Sequence, residues 1–156
     1  MGKGNFTRGV LVIVNQQEAL AKDVGQLAAK VLEYERVFKR VAATGKRPGF
    51  SKADWAPLAE LVAVDEFERV GMWREVMGWQ EYVEMLTVFT KANDFESSGH
   101  RIAEAGGRVY FDREERHVKG DTAHTVNVLS IYEFNEQGRI CHLDVYIQGR
   151  PASEGR

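Results

Sequence analysis

The chain has 156 residues, a formal charge of −2 and one cysteine, and its pI is near 6.1. That length fits a single domain with a substantial core, and the mild acidity gives no electrostatic footprint for nucleic acid. Cys141 alone cannot build a disulfide framework, and the four histidines show no His-x-x-x-His spacing that would point to a metal. Neither a metal nor an organic cofactor is therefore expected.

Residues 9–14, an apolar run after Lys3 and Arg8, faintly resemble a secretory signal but are too short for a usual apolar region. No run reaches membrane-spanning length. A soluble, cytoplasmic protein is expected, one domain over residues 1–156 with residues 1–15 and 149–156 as flexible ends.

Asn15 followed by Glu18 predicts a helix start, and Leu20, Val24, Leu27, Val31, Tyr34, Phe38 and Val41 continue at three- and four-residue steps toward Gly45. Asp54 is placed to cap a short second helix that tolerates Pro57 in its first turn. A short strand is read over 67–70, and a third helix starts near Gly78 with Trp79, Tyr82, Val83, Leu86 and Phe89 as its inner stripe. From Phe95 the period becomes two. Strands are read over 95–104, 109–118, 124–134 and 140–148, with turns at Gly106-Gly107, Lys119-Gly120-Asp121 and 135–138. Helices followed by an antiparallel meander indicate an α+β fold, with the helices covering one face of a curved sheet.

The second of these long runs, V-Y-F-D-R-E-E-R-H-V at 109–118, carries the chemistry. Alternation puts Val109, Phe111, Arg113, Glu115 and His117 on one side, so an apolar face continues into a cation, a carboxylate and an imidazole about 7 Å apart. On a pocket wall these are parts for proton transfer: an acid or base, a charge that tunes it, and a group that titrates near neutrality. In water they are only a solvated strand.

Three further stretches bear on the choice: L-A-E-L-V-A-V-D-E-F-E-R-V-G at 58–71, G-W-Q-E-Y-V at 78–83, and the close N-E-Q-G-R-I then L-D-V-Y-I-Q at 135–148. In order and spacing they resemble the NTF2-like, or SnoaL-like, superfamily. The resemblance implies a cone-shaped α+β barrel, in which N-terminal helices pack in a curved, mainly antiparallel sheet. It also implies a deep apolar cavity and a homodimer formed through the outer sheet face. Members include ketosteroid isomerases, limonene-type epoxide hydrolases, scytalone dehydratases and polyketide cyclases, and also proteins that only bind. Arg113 and Glu115 fall where the epoxide hydrolases have an inward Arg-x-Asp pair, and His117 falls near a histidine of the SnoaL-type cyclases. The isomerase base position falls on Val70 and its second acid on Ser130. The hydrolase tyrosine, asparagine and remaining aspartate positions fall on Glu68, Val70 and Val145. Neither of those two sets is complete.

The last strand has an apolar face, Cys141, Leu143, Val145 and Ile147, and a polar one, His142, Asp144, Tyr146 and Gln148. The apolar face is expected inside. The family register then turns Val126, Val128, Ser130 and Tyr132 inward, with Arg113, Glu115 and His117 beside them, and leaves Leu129 and Ile131 outside for a second subunit. Trp55, Trp73 and Trp79 read as lids or as plain core. Tyr34 and Tyr132 supply interior hydroxyls, and Phe67 is a further apolar candidate. The expectation is a cofactor-independent enzyme acting on a small hydrophobic molecule by isomerisation, cyclisation, dehydration or hydrolysis. Glu115, Arg113 and His117 would do the chemistry, and Tyr132, Ser130, Val128, Val126, Trp79, Tyr34 and Phe67 would bind substrate. The alternative is a non-catalytic binding or interaction module with the same pocket. Neither a nucleic-acid partner nor a membrane is expected.

Overall fold

In the computed structural model, which describes residues 10–13 and 25–149, the change of period falls at residue 94, between the last helix and the long strands. Helix α1 (Gln26–Ala42) buries Ala28, Val31, Tyr34, Glu35, Val37 and Val41 on one face, with Lys39 and Arg40 complementing the dipole at its end. The expected start at Asn15 and Glu18, and the stripe positions Leu20 and Val24, lie outside the described residues. Within the described residues α1 follows Gly25, whose backbone is extended. In place of a side-chain N-cap, Glu104 from the sheet accepts from Ala28 N at 3.1 Å. Glycine at 25 leaves room for that approach, since a Cβ there would stand 2.2 Å from Glu104 Oε2 and the carboxylate would have to swing away.

The second helical segment is a 3₁₀ turn (Lys52–Trp55) running into α2 (Ala56–Ala59), with Pro57 in the first turn of α2. Its cap is Ser51 rather than Asp54. Ser51 Oγ accepts from Ala53 N, and the Asp54 carboxylate reaches back to Ser51 N at 2.8 Å. Asp54 therefore serves as the returning acid of a capping box. Strand β2 (Glu68–Val70) follows, and a two-residue strand β3 (Val76–Met77), which the sequence reading did not contain, pairs with it. Helix α3 (Trp79–Ala92) starts at Gly78 as expected and buries Trp79, Tyr82, Val83 and Leu86.

Four long strands complete the sheet: β4 (Asp94–Ala105), β5 (Arg108–Lys119), β6 (Thr122–Phe134) and β7 (Ile140–Gly149). Gly106 and Gly107, at φ 59° and 76°, turn β4 into β5. Two consecutive positive φ angles match the twist of a tight hairpin. Strand β1 (Val10–Ile13), expected as part of a flexible end, pairs antiparallel with β4. The order is β1-β4-β5-β6-β7-β2-β3, antiparallel except where β2 runs parallel to β7. Register shifts at Gly99/Arg101 and Glu133/Phe134 fall within the long strands, where bulges add bend and twist. The sheet is curved but not closed, so the expected barrel is an open wrap with β1 and β3 at its ends.

The core fills the wrap. Val31 and Tyr34 from α1, Trp55 and Leu58 from the second segment, and Val109, Val128, Tyr132 and Ile140 from the sheet are almost fully buried. Each such apolar side chain contributes roughly 1.5–3 kcal/mol relative to exposure. Buried polar groups inside the helical layer are mostly answered locally: Trp55 Nε1 donates to Thr87 Oγ1 at 3.1 Å, and Thr87 donates to Val83 O. Among the described residues no helix is long and apolar enough to cross a membrane.

Candidate active site

Alternation along β5 carries the apolar positions Val109 and Phe111 into Arg113, Glu115 and His117 on the concave face. Their cross-strand partners on β6 include Ser130 opposite Phe111, Val128 opposite Arg113 and Val126 opposite Glu115. Arg113 is only 9% exposed. Its Nε and Nη2 lie 2.8 and 2.7 Å from Glu115 Oε1, and Nη1 donates to Ser130 Oγ at 2.8 Å. The second oxygen of Glu115 is 3.1 Å from His117 Nε2.

A second carboxylate comes from the opposite layer. Glu35 of α1 places Oε2 4.0 Å from Arg113 Nε, and its Oε1 accepts from the Tyr132 hydroxyl at 2.8 Å. One guanidinium thus sits between two carboxylates, with Tyr132 at one end of the chain and His117 at the other. Burial alone would lower the Arg113 pKa, but Glu35 and Glu115 raise it, so the group stays charged. Burial pushes Glu115 upward, yet hydrogen bonds and charge from His117 and Arg113 bring it below its usual value. Tyr132 is raised by burial and then by Glu35, so its proton stays on.

These groups line a partly enclosed pocket of about 240 Å³. Apolar walls come from Phe38, Met85, Leu86, Phe89 and Phe95 on one side and Val128, Leu143 and Val145 on the other. His117 packs against Phe89 with ring centroids 4.9 Å apart, close to perpendicular. A second cation, Arg69 of β2, lines the same pocket with its guanidinium 5.3 Å from the Tyr82 ring centre. Among the described residues, no three His, Cys, Asp or Glu side chains converge as a metal-holding group.

The sequence reading is partly matched by this placement. Arg113, Glu115, His117, Val128, Ser130 and Tyr132 come together at the pocket. Val126, Tyr34, Phe67 and Trp79 are buried but are not among its lining residues. Phe67 and Trp79 pack edge to face on each other, Trp79 meets Tyr82 edge to face while Phe67 stacks on it, and Tyr82 alone of the three reaches the pocket. Tyr34 meets Tyr132 edge on, with centroids 5.7 Å apart, and stays behind it. Trp55 is core, whereas Trp73 is 81% exposed on the turn between β2 and β3 and forms no lid. His142 and Asp144 face outward as expected, 2.9 Å apart.

Glu35 and Arg69 were missed. Glu35 lies four residues after Val31 and three before Phe38, so a charge on the apolar stripe was the available signal. Arg69 shares a strand face with Phe67. Its inward position is one residue away from Glu68 and Val70, where the resemblance had placed catalytic positions, and Glu68 is exposed.

No family model matches the sequence, and no curated protein matches it. Many solved structures share the fold. An LEH-like epoxide hydrolase from M. tuberculosis is 18% identical, over 74% of this chain and 83% of that one, with a TM-score of 0.55. A candidate SnoaL-like polyketide cyclase from Jannaschia sp. CCS1 is 12% identical over 81% and 91%, at TM-score 0.60. An NTF2-like protein of unknown function from Exiguobacterium sp. 255-15 is 17% identical over 76% and 98%, at 0.58. The fold is NTF2-like, of the kind found in SnoaL-like proteins.

Proposed function

We propose that the protein is a cofactor-independent enzyme that moves protons on a compact, mostly apolar, oxygen-bearing molecule, in a reaction of the isomerase, cyclase, dehydratase or hydrolase type. The observation that carries this is Glu115, held through one oxygen by Arg113 and through the other by His117, on the wall of an apolar pocket. A carboxylate kept ionised accepts from the imidazole and fixes its orientation. With Nε2 protonated, His117 donates to Glu115 and its Nδ1 becomes the base. It takes a proton from substrate or from a water and can return it. Arg113 is a positioning residue that keeps Glu115 charged.

Ser130 is the better oxygen-polarising group on the opposite strand. Its Oγ accepts from Arg113, so its own hydrogen remains to be donated, whereas Tyr132 gives its hydrogen to Glu35. Support of a coarser kind comes from the fold, which an epoxide hydrolase and a candidate cyclase share. Fold alone does not fix chemistry.

The test is turnover by mass spectrometry on a panel of small cyclic epoxides, enones and β-dicarbonyl compounds. Glu115→Gln should lower turnover by about 10²–10⁴-fold while binding persists, because the His117 base loses the carboxylate that sets its tautomer and orientation. A variant as active as the wild type overturns the reading. The second reading is a binding module, favoured because every nitrogen of Arg113 and both oxygens of Glu115 are already engaged inside the protein. Under it, Glu115→Gln changes affinity modestly and no turnover exists to lose. In either case we place the protein in the cytoplasm. We also assign self-association to the outer sheet face, where Leu129 and Tyr146 are 36% and 58% exposed beside one another in register.

A further inference from the structure

Two guanidinium groups line the pocket, and they differ in what holds them. Arg113 has a partner on each nitrogen. Arg69 is equally buried at 9% exposure, yet among the described residues nothing accepts from its Nε or Nη1. The nearest carboxylate is Glu75, with Oε1 3.6 Å from Nη1, which is beyond a hydrogen bond. Glu75 is drawn the other way, because its Oε2 accepts from Trp73 N at 3.0 Å and its side chain remains 37% exposed. The Tyr82 ring attracts the cation through its face but takes up no in-plane N–H.

A buried cation with idle donors is costly, and such a group calls for an explanation in the working molecule. Shortening the side chain or pairing it with a closer carboxylate would remove the cost. The chain does neither, and it makes this arginine part of the pocket wall. We infer that Arg69 is the anion-receiving group of this pocket, and that the ligand is a compact apolar ring compound carrying a carboxylate or another negatively charged oxygen. The inference rests on the pocket being the ligand site, as proposed above, and adds a charge to the ligand's class. The pocket's roughly 240 Å³ sits below the usual span of about 300–1,000 Å³, which favours one or two fused rings.

The experiment is isothermal titration of the full chain with benzoate, 1-naphthoate and 2-naphthoate, each against its arylmethanol, which has the same ring and no charge. At least one carboxylate should bind about 10-fold more tightly than its alcohol, as a charge-assisted hydrogen bond supplies. Arg69→Met should bring that pair to within about 3-fold of each other, and Arg69→Lys should fall between. The melting temperature of Arg69→Met without ligand should equal or exceed that of the wild type, because a buried charge paired only at 3.6 Å with a partly exposed carboxylate is replaced by an apolar chain. A purely structural arginine would lower it.

If Arg69→Met does not fold, Arg69→Lys carries the binding comparison. The assignment is overturned if no carboxylate outbinds its alcohol, or if the preference survives in the variant. Neither result bears on turnover, so the Glu115–His117 reading would stand. Conversely, full turnover in Glu115→Gln would end that reading and leave the Arg69 preference intact.

Discussion

The two faces of the sheet carry the same pair of residue types at the same spacing. Inside, Glu115 and His117 lie two residues apart on β5, with 3.1 Å between oxygen and nitrogen. Outside, His142 and Asp144 lie two residues apart on β7 at 2.9 Å. The pair geometry is nearly identical, so the pair itself is not what makes a site. The difference is in the surroundings. The inner carboxylate is 13% exposed and bonded to a buried guanidinium, while the outer one is 29% exposed and, among the described residues, is paired with His142, whose ring also lies 3.8 Å from Glu68. A low-dielectric wall and a fixed counter-charge convert a common surface pair into one that holds its ionisation.

Removing the counter-charge should break the comparison most severely. Arg113→Met strands Glu115 and Glu35 against an apolar wall, and stability should fall by about 3–5 kcal/mol, the usual cost of breaking a buried pair. Urea denaturation measures it. A loss below 1 kcal/mol would mean that water reaches both carboxylates and that the inner pair differs little from the outer one.

Glu115→Gln should be milder, since Glu35 stays 4.0 Å from Arg113 and the guanidinium keeps a partner. Its signature is in the pH dependence. Glu115 has a lowered native pKa, so its contribution is fully present above the ordinary value of 4.5. It is lost as pH falls from there through the lower native value, because the unfolded chain takes up the proton first. The wild type should therefore lose stability over that acidic interval, and Glu115→Gln should show a flatter acid limb. Parallel limbs for the two proteins would show that Glu115 titrates alike in both states.

The inner pair was legible because a strand's period is two and does not drift. Once Val109 and Phe111 are inward, Arg113, Glu115 and His117 must follow. Ser130 and Tyr132 were turned inward by the register that the NTF2-like resemblance implies, with alternation fixing which residues share their face. The other half of the site was not. Glu35 sits on a helix, where glutamate is commonplace and a 100° step leaves the edge of the buried face ambiguous. Its interior role appears only in three dimensions, where the Tyr132 hydroxyl, 97 residues away, and the Arg113 guanidinium meet it. Arg69 was hidden by brevity: three residues of β2 are too few for a pattern, and its mate β3 has two. The aromatic residues misled for a related reason. Phe67, Trp79 and Tyr82 share a cluster, and which ring of a packed cluster touches a pocket depends on tertiary placement that no spacing records.

The outer pair gives the smallest expected effect and the sharpest control. Asp144→Asn removes a partly exposed hydrogen-bond partner of His142, and such pairs near the surface are worth about 0–1 kcal/mol. Stability in urea should shift by less than that, and ligand binding and turnover should not change. Asp144 lies opposite Ile131 in the β6–β7 register, on the side of the sheet that also presents Leu129 and Tyr146. If a second subunit covers that side as proposed, the cost of Asp144→Asn should rise with protein concentration, because covering the pair removes the water that makes its loss cheap. Measured at low and at about 100-fold higher concentration, a cost that grows marks the pair as part of the covered surface. A constant, small cost leaves it in solvent and confines self-association, if Leu129→Lys shows any, to the far end of the strands.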